Sequence, residues 1–352
     1  MANMAQAIRM ALHYSEKNLG VTEIFGQDVG APLGGVFTCT QGLKTAWNTP
    51  LDERGIVGAA IGLGLAGQKC VAEIQFCDYI FNTIDLLKMA GNTLWTTGGQ
   101  YNLPIVLMTP TGAGIRGSVY HSHSFDAWAS RLQGWKVVMP STPIDAYGLM
   151  LAAVKDPNPV MFLKPKSLLR VRGEELIPGE PENEKDLKQR IDAPLGDRTQ
   201  WKANWPNLED FEIEIGKAKI VNEGTELTVV SYGRTLPLCQ KVAQKLKANH
   251  GASIEVIDLR SIYPYDWQTL YKSIKKTGRV LFVNEDTEVT NFGEHLAYRT
   301  TQELFYELMA RPRVLAGKNV PGIGLYPALE EATVPYEPEI EKEILEILSE
   351  VP

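Results

Sequence analysis

The chain has 352 residues, and several of its shortages are informative. It lacks any apolar run of about 18 residues, because the longest candidates are broken by Gly, Asp or Gln, so a membrane-spanning helix is not expected. It lacks a basic excess: 35 Lys and Arg stand against 42 Asp and Glu, a net charge of −7. Without a Lys/Arg run to neutralise phosphates, nucleic acid is not an expected partner. Cysteine is scarce. Cys39, Cys70, Cys77 and Cys239 form no CxxC pair, which argues against a zinc ribbon or a disulfide framework and for buried thiols. The start of the chain, Met1 to Leu19, has neither the apolar block and cleavage site of a signal peptide nor the acid-poor look of a transit peptide, so it reads as a helix of a cytoplasmic protein.

What is present describes a folded protein. Hydrophobic residues make up 44% and charged residues 22%, ordinary globular usage, and the length suggests about two domains. Strand-like runs at Glu23–Gly26, Cys70–Gln75, Pro104–Thr109, Lys136–Met139 and Val160–Leu163 alternate with helical ones. After residue 212 the pattern resumes, with strands at Thr228–Tyr232, Ile254–Leu259 and Val280–Asn284 and helices at Leu236–Ala248 and Trp267–Lys276. This alternation predicts an α/β fold of two open, mostly parallel-sheet domains, at 1–170 and 213–352. Between them, 171–212 carries four Pro and eleven acids against six bases; it reads as an acidic linker or surface excursion, with Trp201 and Trp205 packing on something. Ile56–Gly67 (IVGAAIGLGLAG) suits a helix that packs closely through small side chains. Its glycines follow no strand-turn and match a dinucleotide loop poorly. The last helix, Pro338–Leu348, is strongly acidic, either as a solvated face or as a docking surface for a basic partner.

Three segments could carry chemistry. Glu53 stands ahead of the small-residue helix, where free backbone N–H groups stabilise a carboxylate and where an apolar surface could tune a proton donor or acceptor. Gln75 and Tyr79 follow a strand, the position at which open α/β sheets bind ligands; Tyr79 could equally belong to the core. Tyr120–Ser124 (YHSHS) follows the glycine-rich loop 111–118 (TGAGIRGS). With five histidines in the chain and no third ligand nearby, a metal site at His121 and His123 is not expected.

These segments, NTPLDERGIVGAAIG, AEIQFCDYIF, YHSHS, KVVMPSTPIDAYGLM, VIDLRSIYPYD and VNEDTEVTNFGEHLA, occur together in one order. In that order the chain resembles the beta subunit of thiamine-diphosphate-dependent 2-oxo acid dehydrogenases over about 1–170 and 213–352. Gly34–Leu43 (GGVFTCTQGL) and Tyr79 resemble branched-chain (2-oxoisovalerate) rather than pyruvate dehydrogenases. The resemblance implies a transketolase-like pyrimidine-binding domain followed by a transketolase C-terminal-like domain. It also implies an alpha2-beta2 heterotetramer with the cofactor between alpha and beta chains. The family's diphosphate-and-magnesium motif, Gly-Asp-Gly followed by Asn, is missing; the nearest string is Gly196-Asp197-Arg198. The diphosphate and Mg2+ therefore fall to the alpha subunit.

By the same resemblance Glu53 hydrogen-bonds the aminopyrimidine, favouring the imino tautomer that takes the thiazolium proton, while Gln75 and Tyr79 line the pyrimidine pocket. His121 matches a histidine that helps acyl transfer to the lipoyl group of a dihydrolipoyl acyltransferase. Potassium is implied at Leu103, Ile105 and Val106 with Ala153, Asp156 and Asn158. Oxygen-rich turns suit a hard cation, although Asp-Pro-Asn-Pro is also ordinary turn chemistry. The rivals are a pyruvate or acetoin dehydrogenase beta subunit, since the decarboxylation machinery is shared, and a non-catalytic assembly protein that kept the fold.

Overall fold

The structure is a computed structural model that describes residues 1–196, 198 and 200–350. Asp197 of the Gly196-Asp197-Arg198 string and the final Val351 and Pro352 lie outside the described residues.

The helices are α1 (Met4–Asn18), α2 (Glu53–Leu65), α3 (Ile84–Thr96), α4 (Asp126–Ser130), α5 (Pro143–Lys155), α6 (Glu184–Ile191), α7 (Thr235–His250), α8 (Trp267–Thr277), α9 (Phe292–Leu304), α10 (Pro327–Glu331) and α11 (Glu337–Ser349). The strands are β1 (Val21–Gly26), β2 (Ala46–Asn48), β3 (Lys69–Glu73), β4 (Ile105–Thr111), β5 (Lys136–Val138), β6 (Val160–Pro165), β7 (Lys219–Asn222), β8 (Leu227–Ser231), β9 (Ile254–Asp258), β10 (Ser261–Tyr263), β11 (Val280–Thr287) and β12 (Arg313–Gly317). Two compact units result: 1–110 with 131–215, and 111–130 with 216–352. Among the described residues no helix is long and apolar enough to cross a membrane.

In the first unit the strand order is β5-β6-β4-β3-β1-β2, and β1 pairs in parallel with both β2 and β3, as β3 does with β4 and β5 with β6. β4 and β6 are buried at every position, which is why they read as apolar runs rather than alternating ones. α1 begins with a capping box: Asn3 Oδ1 accepts the Gln6 N–H at 2.9 Å and Gln6 Oε1 accepts the Asn3 N–H at 3.0 Å. Its Met4, Ile8 and Leu12, four apart and therefore on one face, join Tyr147, Leu151 and Val154 of α5 in the core.

The acidic stretch contributes to that core. Leu187 and Ile191 of α6 are fully buried, and Asp192 Oδ1 accepts Arg9 Nη2 at 2.9 Å. Arg9, 1% exposed, also donates to Gln41 Oε1 at 3.2 Å and to the Ile191 carbonyl at 2.5 Å, so a cation inside α1 is matched by an anion the excursion supplies. Trp205 stacks on His13 with ring centroids 4.2 Å apart.

In the second unit the order is β12-β11-β8-β9-β7; only β7 runs antiparallel to its neighbour. Leu236, Cys239, Val242 and Leu246 of α7 pack with Ile340, Ile344 and Ile347 of α11 over the sheet. The acids of α11 turn toward bases of the same unit: Glu337 to Lys241 (2.6 Å), Glu341 to Lys245 (2.7 Å), Glu343 and Glu346 to Arg313 (3.0 and 2.8 Å). The helix therefore presents less free negative charge than its composition suggests. All four cysteines are buried.

Candidate active site

Glu53 is the first residue of α2 and half-buried. Asn82 Nδ2 donates to Glu53 Oε2 at 3.3 Å. Asn82 is brought there by Arg54, whose guanidinium donates to the Asn82 carbonyl at 2.8 Å and grips both oxygens of Asp85 at 2.6 and 2.9 Å. That grip holds the Asp85 pKa down to about 2. It also ties the short 3-10 turn Cys77–Thr83 to the start of α2, and the turn carries Tyr79.

β3 ends at Glu73, two residues before Gln75. β1 and β3 are parallel neighbours, and beyond their carboxyl ends Gln75 Nε2 donates to Asp28 Oδ2 at 2.8 Å. Asp28 has φ +60, a conformation acidic and amide side chains tolerate better than most. Tyr79 packs edge-on against Phe76 at 6.0 Å, and Phe76 in turn edge-on against Phe37 at 6.0 Å. Phe37 belongs to Gly34–Leu43, so the two segments that suggest branched-chain preference meet through Phe76. Behind the site Glu73 accepts from Lys164 Nζ of β6 at 2.5 Å, both side chains 1% exposed.

His121 belongs to the second unit. It follows the 3-10 turn Ser118–Tyr120 with φ −142 and ψ 18, half-buried, its Nδ1 3.2 Å from the Gly117 carbonyl. That ψ is not extended, so the rule that alternate residues of a strand share a face does not govern His121 and His123. The loop is closed at its base by the Gly112 N–H donating to the His123 carbonyl at 2.8 Å.

Of the residues suggested for potassium, Leu103 meets the turn after α5. The Leu103 N–H donates to the Pro157 carbonyl at 3.0 Å, joining the approach to β4 to the turn after α5, and the Leu103 carbonyl accepts the Ile105 N–H at 2.9 Å. Val106 pairs with Val71 in the sheet, and Ala153 lies buried near the end of α5. The Asp156 carboxylate is occupied by Lys136 Nζ and by the Asn158 N–H at 2.9 Å. Backbone oxygen is what this turn has left to offer a cation.

Structure thus brings Glu53 together with the Tyr79 turn, and Gln75 with Asp28. Asp28, Asn82 and the Arg54–Asp85 pair were not found by sequence reasoning. Asp28 carried a usable signal, an acid just past the carboxyl end of a strand; Asn82 carried none, since its role depends on the turn folding back onto α2.

Residues 1–172 match the family described as transketolase, pyrimidine binding domain, and residues 216–340 that described as transketolase, C-terminal domain. The mitochondrial 2-oxoisovalerate dehydrogenase subunit beta of Dictyostelium discoideum is 34% identical over 327 residues, 91% of this chain and 80% of that one. Pyruvate dehydrogenase E1 component subunit beta of Acholeplasma laidlawii is 36% identical over 324 residues, 90% of this chain and 89% of that one. The 2-oxoisovalerate dehydrogenase subunit beta of Pseudomonas aeruginosa is 34% identical over 335 residues, 93% of this chain and 89% of that one. A solved structure described as a split gene transketolase, inactive beta4 tetramer, covers 100% of both chains with a TM-score of 0.70 at 17% identity; that likeness concerns the fold alone.

Proposed function

This chain belongs to the family of 2-oxo acid dehydrogenase beta subunits, and from that premise we propose that it is the beta subunit of a branched-chain 2-oxo acid dehydrogenase, acting on 2-oxoisovalerate and its homologues together with an alpha subunit. The observation that carries the reading is Glu53 itself: a half-buried carboxylate at a helix start whose side-chain donor, Asn82, is a long 3.3 Å away. Such a carboxylate fits the ring nitrogen of an aminopyrimidine. The proposed cofactor is thiamine diphosphate, which when bound supplies the electron sink for decarboxylation. Glu53 would hold a proton at the ring nitrogen, Tyr79 would flank the ring, and Gln75, its amide fixed by Asp28, would line the pocket.

The remainder of the proposal concerns partners. The alpha chain of an alpha2-beta2 tetramer would hold the diphosphate and Mg2+, and the turn of Ala153, Asp156 and Asn158 with Leu103, Ile105 and Val106 would offer oxygens to K+. His121 would hand a proton to the lipoyl thiolate of a dihydrolipoyl acyltransferase.

Reconstitution with the alpha chain tests the reading. Glu53→Gln should lower decarboxylation by about 10²–10⁴-fold, the worth of one positioned acid-base group, with the tetramer still assembled; full activity would remove Glu53 from the mechanism. A pyruvate dehydrogenase is the second reading, favoured by the 36% identity to a relative so named. Rates with 2-oxoisovalerate, pyruvate and acetoin decide, and preference for pyruvate would overturn the branched-chain assignment. His121→Ala should reduce the overall complex reaction far more than reduction of an artificial acceptor, whereas His123→Gln should be tolerated in both.

A further inference from the structure

The segment that carries His121 is fastened to its unit at both ends by consecutive acids of β11. Upstream, Glu285 Oε2 accepts the Ala113 N–H at 3.0 Å and lies 3.7 Å from Arg234 Nη1. A Cβ on Gly112 (φ +85) would stand 2.0 Å from Glu285 Oε1, so a larger residue there would push the Glu285 carboxylate away from the Ala113 N–H. Downstream, Asp286 Oδ2 accepts the Ala127 N–H at 3.0 Å while its Oδ1 accepts the Thr287 N–H at 2.8 Å.

Beside Ala127, Asp126 is 1% exposed and Asp286 8%, and because Asp286 grips the N–H of the residue next to Asp126, the two buried carboxyl groups are brought together. Two carboxylates brought together in a buried site cannot both be ionised. Asp286 has two backbone N–H donors to stabilise its charge. Asp126 accepts the Tyr232 hydroxyl at 2.6 Å on Oδ2, and its buried Oδ1 has no hydrogen-bond donor among the described residues. A proton on Oδ1 accounts for both facts.

We propose that Asp126 is a protonated carboxyl which donates to Asp286 and that this pair, with Glu285, is the positioning device of the His121 segment, fastened while the proton is held and released when it is lost. Burial, then the charge of Asp286, pushes the Asp126 pKa well above the ordinary carboxyl value, in agreement with the geometry. The charged and titratable groups around it are Tyr232 and Arg234 following β8, and Glu285 and Asp286 of β11. Of the other elements packed on α4, β10 brings Tyr263. From α9, Glu294 is engaged with the Asn291 N–H and His295 with Tyr265. The functional consequence rests on the reading of His121 given above: acyl transfer should fail at alkaline pH before decarboxylation does.

The test uses the reconstituted tetramer with the acyltransferase, from neutral to about pH 10, following the overall reaction, artificial-acceptor reduction, and hydrogen exchange at the Ala113 and Ala127 amides. In the parent enzyme both amides should lose protection at alkaline pH beyond the ordinary base-catalysed trend, with the overall reaction falling in step. Asp126→Asn, whose amide donates without titrating, should keep protection and carry the overall reaction further into the alkaline range. Asp126→Ala should exchange at Ala127 about tenfold faster or more at neutral pH. Should the Asn variant fold poorly, Tyr232→Phe, which removes the hydroxyl donor that favours ionised Asp126, should move the loss of protection to higher pH. Identical alkaline behaviour of exchange in the parent and in the Asn or Phe variant overturns the proposal. His121→Ala with an undiminished overall reaction would instead overturn the role of His121, and leave the exchange result standing.

Discussion

Replacing Lys164 by Met tests the ion pair on which the site rests. Its Nζ lies 2.5 Å from Glu73 Oε2, both side chains are 1% exposed, and the second Glu73 oxygen is buried without a partner among the described residues. Met fills nearly the same volume, so the loss is electrostatic: a carboxylate stranded where water cannot reach it. Breaking a buried pair in this way costs about 3–5 kcal/mol, and with a urea slope of about 1–3 kcal/mol per M the midpoint should fall by about 1–2 M or more. Burial works against the Lys164 ammonium, but Glu73 more than offsets it and the pKa ends above the ordinary 10.5. The contribution is therefore complete at and below that ordinary value and lost only as pH rises through the folded one, so the Lys164→Met deficit should be the same at neutral and mildly alkaline pH. Adding Glu73→Met should restore most of the stability, because an apolar pair of similar size removes the stranded charge. A single variant within about 1 kcal/mol of the parent, or a double variant as unstable as the single, would refute the reasoning.

A raised carboxyl pKa gives Asp126 a pH dependence of the same sign, at lower pH. Between the unfolded value near 3.8 and the folded one, the native state binds more protons, so stability should fall as pH rises and Asp126→Asn should flatten the curve, read by urea titration at several pH values. Burial pushes the Cys70 and Cys239 thiols up to about 12 and raises that of Cys39; a thiol reagent at mildly alkaline pH should leave these native cysteines unlabelled and reach all four on denaturation. Charge reversal at Glu341 and Glu343 should leave capture by an acyltransferase unchanged at low salt, because Lys245 and Arg313 already neutralise those acids; weakened capture would restore α11 as a docking face. Gly134→Ala should destabilise the first unit by more than about 1 kcal/mol in the same urea assay, since its φ is +86 and a Cβ would meet the Gly91 carbonyl oxygen at 1.8 Å.

Much of the fold was legible because buried parallel strands are written as continuous apolar runs: β3, β6, β8, β9 and β11 were found within a residue or so at their starts. The short strands β2, β7, β10 and β12 were not, since three to five residues leave little period to read. Glu53, Gln75, Tyr79 and His121 were suggested by resemblance and by their places after strands and before a helix, which are local features. What composition hid was the role of the acidic stretch, whose Leu187, Ile191 and Asp192 count as anchors only once Arg9 is seen buried beside them. The partners that matter at the site, Asn82 for Glu53, Asp28 for Gln75 and Asp286 for Asp126, are 29, 47 and 160 residues away in sequence. Sequence by itself determined the longer elements and the places of the candidate side chains, because helix starts and strand runs are set by neighbours a few positions apart. Only the tertiary structure decided which charges meet, and hence which acid keeps its proton, because that depends on burial and on partners that chain order does not bring together.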